Sequence, residues 1–140
     1  MSVPRSVKAL VIHIDGASRG NPGPSSAGAE IRDTEGEMVK TVSEYIGTAT
    51  NNVAEYFALI FALEEAAILG AEKVEVYSDS ELLCRQFDGK YKVKDEVIRL
   101  LYRQVKRLAT HFASCAVHHI PREKNQHADR LANEALDAVL

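Results

Sequence analysis

Apolar residues run almost without interruption over Ala9-Leu10-Val11-Ile12-His13-Ile14, which predicts a buried strand closing at Asp15. The following stretch, Gly16 through Ser26, is turn chemistry throughout, with Gly20-Asn21-Pro22-Gly23-Pro24 at its centre. Residues 27–33 and 37–46 read as two further strands, joined as a hairpin by Asp33-Thr34-Glu35-Gly36. The period then changes. Tyr56, Ile60, Leu63 and Ala67 recur at helical spacing, with Leu59 and Ala66 widening the stripe, so a helix is predicted over 53–69. Thr50-Asn51-Asn52 supply capping chemistry at its start, and Gly70 supplies a stop.

A fourth strand-like run, 74–78, closes at Asp79 and leads into a short helix over Ser80 to Phe87. Residues 88–94 read as a loop of basic character. The next helical pattern covers 96–112, with Val97, Leu100, Leu101, Val105 and Leu108 as its buried stripe and Arg99, Arg103 and Lys106 on its exposed face. A last strand is predicted over 115–120, then a polar loop over 121–126. A helix from Ala128 carries Leu131, Ala132, Ala135, Leu136 and Val139. A hairpin-rich beginning followed by alternating helices and strands predicts a mixed α/β sheet, its later strands parallel to the first and covered by helices. Asp15 and Asp79 then end adjacent parallel strands, at the edge where open α/β sheets place their ligand sites.

With 140 residues, 46% of them hydrophobic, and no repeat or linker, one domain spanning 1–140 is expected. No uncharged apolar stretch reaches about 18 residues, so no membrane span is predicted. The N-terminal apolar run is too short for a signal peptide and leads directly into the first strand. A cytoplasmic protein with Cys84 and Cys115 reduced is the simplest reading, with a disulfide between them left open. Nothing points to an obligate protein partner. The formal charge of −3 changes the picture more: a chain that held nucleic acid by charge alone would be basic. Any such partner must be met by local cations or by metal ions.

Four acids, Asp15, Glu55, Asp79 and Asp129, sit at the ends of apolar strands or inside the starts of helices. If the fold gathers them, they repel one another unless something cationic lies between. Hard divalent cations with oxygen ligands are the natural candidate. Each local string also has an ordinary structural reading. Gly-Pro turns connect antiparallel strands, Asn caps helices, Glu in a first turn complements the helix dipole, and Asp79 or Ser80 can cap the helix that follows.

Taken as an ordered set, the strings are distinctive. Asp15-Gly16 followed by Gly20-Asn21-Pro22-Gly23-Pro24, Thr50-Asn51-Asn52 with Glu55 beyond, Ser78-Asp79-Ser80, and Ala128-Asp129-Arg130-Leu131-Ala132-Asn133 together resemble type 1 ribonuclease H over roughly 9–137. The resemblance implies the ribonuclease H-like fold, a five-stranded mixed sheet in the order 3-2-1-4-5 flanked by helices. It implies hydrolysis of the RNA strand of RNA–DNA hybrids to 5′-phosphate and 3′-hydroxyl products. Asp15, Glu55, Asp79 and Asp129 match the family's metal-binding carboxylates, which hold two Mg²⁺, with Mn²⁺ as a substitute. Asp15 is implied to be shared between the ions, Glu55 and Asp79 to lie on the leaving-group side, and Asp129 on the water side. Gly20, Asn21, Asn51 and Asn52 match positions that meet the hybrid in its minor groove, where 2′-hydroxyls distinguish RNA from DNA.

The chain departs from that pattern in its periphery. The loop before Asp129, residues 118–128, lacks the Gly-His-Gly signature of many members and resembles a short-loop subgroup common in archaeal and some bacterial enzymes. One of His118 and His119 is expected to pack inward and the other to face out, while His127 either approaches the site or is solvated. Arg122 and Lys124 are phosphate contacts or solvated charges. The basic protrusion of some members is missing, which leaves Lys90, Lys92 and Lys94, with Arg85, as candidates for gripping the DNA strand. Glu81 stands where Gln is frequent, and an acid there repels phosphate unless it faces a base edge or a 2′-hydroxyl. Two other readings stay open: a nuclease of this fold acting on double-stranded RNA, and a non-catalytic nucleic-acid-binding module.

Overall fold

The structure is a computed structural model and describes residues 8–140. Its sheet has five strands: β1 (Ala9–Ser18), β2 (Gly23–Asp33), β3 (Met38–Ala49), β4 (Lys73–Ser78) and β5 (Ser114–His119). They lie in the order β3-β2-β1-β4-β5, as the resemblance implies. β1 pairs antiparallel with β2 and β2 with β3, while β1 with β4 and β4 with β5 are parallel. The register places Ile14 opposite Ser78, so Asp79 leaves β4 beside Asp15; Asp15 does not close its strand as expected, because β1 goes on pairing with β2 as far as Ser18.

Alternation along β1 sorts the two faces. Leu10, Ile12 and Ile14 are fully buried toward α1 (Asn51–Ile68), which contributes Tyr56, Leu59, Leu63 and Ala66. Thr50 is the N-cap of α1, its hydroxyl accepting the Val53 N–H at 3.2 Å, so the helix begins two residues earlier than the apolar stripe suggests. The opposite face is covered at one end by α4 (Gln126–Val139). α4 approaches so closely that a Cβ at Gly28 would lie 2.5 Å from the Ala128 carbonyl oxygen and 2.6 Å from the Ala132 nitrogen. The Ser26 hydroxyl donates to the Ala132 carbonyl and that of Ser43 to the Leu131 carbonyl, fastening the helix to β2 and β3.

β2 and β3 are longer than the apolar pattern predicts. Gly23-Pro24-Ser25 pairs with Ala49, Thr48 and Gly47, and a register shift after Ser25 absorbs the irregularity. In α3 (Glu96–Ala109) the expected stripe is corrected. Ile98, Leu101 and Val105 form the buried row, whereas Val97 and Leu100 are 54% and 63% exposed. Two apolar stripes overlap there, and the one spaced three and then four residues apart is the one that meets α1. Lys106 is not a free surface cation either. Its ammonium donates to the Phe87 carbonyl at 2.7 Å and lies 4.0 Å from the Phe87 ring centre, closing the end of α2 (Glu81–Phe87). Of the apolar residues that α4 carries, Ala132, Ala135 and Leu136 are buried and Val139 is exposed.

Cys84 and Cys115 are both free. Among the described residues, no helix is long and apolar enough to cross a membrane.

Candidate active site

Asp15 lies on β1 where the strand passes both helices that cover the sheet. Its neighbour Gly16 faces α1 so tightly that a Cβ there would sit 2.4 Å from the Glu55 nitrogen. Glycine is therefore required for the strand to come against α1 at Ala54 and Glu55, one turn inside the helix, and that approach brings Glu55 to Asp15. Asp79 arrives from the end of β4. Carboxylate oxygens of Asp15, Glu55 and Asp79 all lie within 4.8 Å of one another. Among the described residues this is the one such cluster suited to a metal ion.

Asp129 joins them from the first turn of α4, lining the same cleft as Asp15 and Asp79. The buried Asn125 amide, just ahead of that turn, donates to the Ile14 carbonyl at 2.7 Å and ties the start of α4 to β1. Asn133, one turn further on, donates to the Asp129 carbonyl at 2.9 Å. Sequence reasoning missed both roles. Asn125 lies in an ordinary polar loop, whereas the four-residue interval from Asp129 to Asn133 is visible as a helical pairing.

The electrostatics follow from crowding. Burial, then the charge of Glu55, the neighbouring Asp129 carboxyl and the charge of Asp79, push the Asp15 carboxyl up to about 10. Burial also raises Glu55, against the Gly16 N–H that it accepts. Glu55 keeps one buried oxygen with no hydrogen-bond partner. An all-oxygen donor set, mutually repelling and with an orphaned acceptor, fits a hard divalent cation.

Asn51 and Arg122 line the cleft beside these carboxylates, and the Arg122 charge favours ionised Glu55. Asn21 accepts the Asn51 N–H at 3.0 Å through its side-chain oxygen, so the loop after β1 and the start of α1 are joined. Gly20 takes a φ of +106°, in the left-handed region that favours glycine. The side-chain oxygen of Asn52 is buried without a partner. The basic candidates are elsewhere. Arg85 lies 3.7 Å from Glu81, and Lys90, Lys92 and Lys94 are exposed between α2 and α3, outside the carboxylate cleft.

The histidine expectations are corrected. His118 and His119 are both exposed, because β5 is an edge strand whose end lies beyond helical cover. His118 sits 2.6 Å from Glu75 and against the Tyr77 ring. His127 places Nδ1 2.8 Å from Glu30.

Residues 13–135 match the family model described as reverse transcriptase-like. The chain is 45% identical over 131 residues to the bifunctional protein Rv2228c of Mycobacterium tuberculosis (strain ATCC 25618 / H37Rv), covering 93% of this chain and 36% of that protein. It is 44% identical over 125 residues to ribonuclease HI of Halobacterium salinarum, covering 89% of this chain and 63% of that protein. The chain thus spans less than two thirds of the length of either relative. The crystal structure of RNase H1 from that archaeon superposes with a TM-score of 0.91 at 42% identity, over 94% of this chain and 99% of that one. LC11-RNase H1, crystallised in complex with RNA/DNA hybrid, superposes with a TM-score of 0.88 at 43% identity, over 92% of this chain and 97% of that one. Sheet order, carboxylate cluster and these similarities converge, and the chain belongs to the type 1 ribonuclease H family.

Proposed function

We propose that this chain is an endoribonuclease that cuts the RNA strand of RNA–DNA hybrids in a metal-dependent reaction, leaving 5′-phosphate and 3′-hydroxyl ends. The observation that carries this reading is the meeting of buried Asp15 and Glu55 with half-buried Asp79 beside two loops that carry asparagines. Asp129 joins them from α4. These four carboxylates would hold two Mg²⁺, or Mn²⁺ in their place. When bound, such ions lower the pKa of an attacking water and stabilise the leaving 3′ oxygen of a phosphodiester.

The chain's own residues do the rest. β1, α1 and β4 fix three carboxylates without help from flexible loops, so the site is preorganised for its charge. Asn21, Asn51, Asn52 and the Gly20 backbone would face the minor groove and engage ribose 2′-hydroxyls. Arg85, Lys90, Lys92 and Lys94 would meet the DNA strand further from the chemistry. Residues 1–140 form, on this reading, one ribonuclease H domain acting in the cytoplasm.

The test is hydrolysis of labelled RNA–DNA hybrid, duplex RNA and duplex DNA, each with Mg²⁺, Mn²⁺ or chelator. Cutting of the hybrid alone, abolished by chelator, is expected. An inert hybrid in every metal overturns the reading, and faster cutting of duplex RNA reassigns the substrate.

A further inference from the structure

Two serines behind the substrate-facing loops have no part in the chemistry described above. Ser25 is fully buried, yet its hydroxyl lies 2.8 Å from the Gly23 carbonyl, 3.0 Å from the Ala49 carbonyl and 2.9 Å from the Ser18 hydroxyl. Ser18 in turn reaches the Ala49 carbonyl at 3.2 Å and bonds the Gly20 carbonyl. The two hydroxyls, with one hydrogen each to donate, thus lie among three carbonyls on two different segments. One segment is the β1–β2 loop, which carries Gly20 and Asn21. The other is the end of β3, one residue before Thr50-Asn51-Asn52.

Neither hydroxyl is needed for burial or for strand pairing, since Gly23 and Ala49 already pair through the sheet. A buried hydroxyl kept at such a place costs desolvation unless its bonds are made, and here they are made across the two loops. The loops meet again at their outer rim, where Asn21 accepts the Asn51 N–H. The seam is thus fastened at its base by Ser18 and Ser25 and at its rim by asparagine. The Asn21 side-chain oxygen is engaged in that fastening, which leaves its NH₂ for a ligand. The spacing between the groups offered to consecutive riboses is then set from below, by the hydroxyl pair.

We infer that Ser25, with Ser18, is a specificity-determining positioning pair that fixes the distance between the two loops reading the RNA strand. This rests on the proposed hybrid-cleaving function. Ser25 is buried behind the cleft, and Ser18 lines its wall with its hydroxyl turned to backbone carbonyls, so the pair acts on substrate recognition and not on the reacting phosphate. Loss of the pair weakens binding that is common to ground and transition states, which raises KM and spares kcat.

The experiment uses the full chain, with Ser25→Ala and, separately, Ser18→Ala. Both remove a hydroxyl without adding volume. Steady-state cleavage is measured on an RNA–DNA hybrid and on the same hybrid carrying single 2′-deoxy substitutions beside the cut site. Ser25→Ala is expected to raise KM about tenfold with kcat within about twofold, the effect of one lost buried hydrogen bond. The penalty for the deoxy substitution should also shrink in the variant, because enzyme and substrate changes act on one interaction. A KM equal to wild type, or a deoxy penalty unchanged by the variant, overturns the inference and leaves the serines as packing alone. If Ser25→Ala does not fold, Ser25→Cys, which keeps the volume and donates only weakly, carries the same two readouts. A wild-type chain that cuts no hybrid overturns the functional reading instead, so the two failures are distinct.

Discussion

At the scale of single residues, Asp15 concentrates the tension in the site. It is 5% exposed and surrounded by three other carboxyl groups. Asp15→Asn keeps the volume and removes one ligand charge, so hybrid cleavage should fall roughly a hundredfold or more while the fold persists. In metal-free protein the same change should stabilise, by about 1 kcal/mol or more at pH 8, because the amide is buried without the proton uptake that the carboxyl requires. The sign with pH is fixed by the raised pKa values of Asp15 and Glu55. Raised folded values mean that the native state holds protons that the unfolded chain has released, so this contribution is present at low pH and lost as pH rises through the folded values. Thermal melts in chelator should show the wild type losing stability between pH 5 and pH 9, and Asp15→Asn losing less. Equal pH slopes would mean that the Asp15 carboxyl is not raised in the fold. The four acids were legible from sequence because each follows or opens an apolar run. Ser18 and Ser25 were not, since serine in a Gly-Pro-rich string reads as turn chemistry until the partner segment is known.

At the scale of elements, close approach decides where the carboxylates stand. Gly28→Ala would drive a methyl group into the backbone of α4 at Ala128 and Ala132. Helix and sheet must separate, at a cost of about 1–3 kcal/mol. Cleavage should drop further than that stability loss explains, because Asp129 moves with the helix; melting temperature measured beside kcat separates the two effects. A variant with full kcat would show that α4 can shift without moving Asp129. Elements were largely readable from period and caps: β1, β4 and the α1 stripe stand close to where the apolar pattern puts them. α3 was misread for a physical reason. Val97, Ile98, Leu100 and Leu101 offer two rows of similar hydrophobicity, and only the packing of α1 chooses between them.

At the scale of the whole molecule, a chain of charge −3 must hold a polyanion. Its cations near the α2–α3 loop are few, and they stand apart from the carboxylate cleft. Replacing Lys90, Lys92 and Lys94 together by Ala should weaken hybrid binding and flatten its salt dependence, by about 0.7–0.9 in log–log slope for each phosphate no longer neutralised. An unchanged slope would leave these lysines as solvated charges. Sheet order was legible at this scale because the strand and helix sequence admits few topologies. The surroundings of His118 and His127 were not, because they depend on which part of the sheet the helices leave open.

The fastening of α4 by Ser26, Ser43 and Asn125 has one more consequence. Three carboxylates belong to the body of the protein, and the fourth rides on a helix held by a short row of hydrogen bonds and by close packing at Gly28. Partial opening of that helix would disconnect the site while the rest of the chain stayed folded. In a urea titration, activity should then vanish at a lower concentration than the tyrosine fluorescence change, with α4 amides exchanging early. Coincident midpoints would instead make α4 part of the same cooperative unit as the core. A nuclease arranged in this way loses its cutting power before it loses its shape.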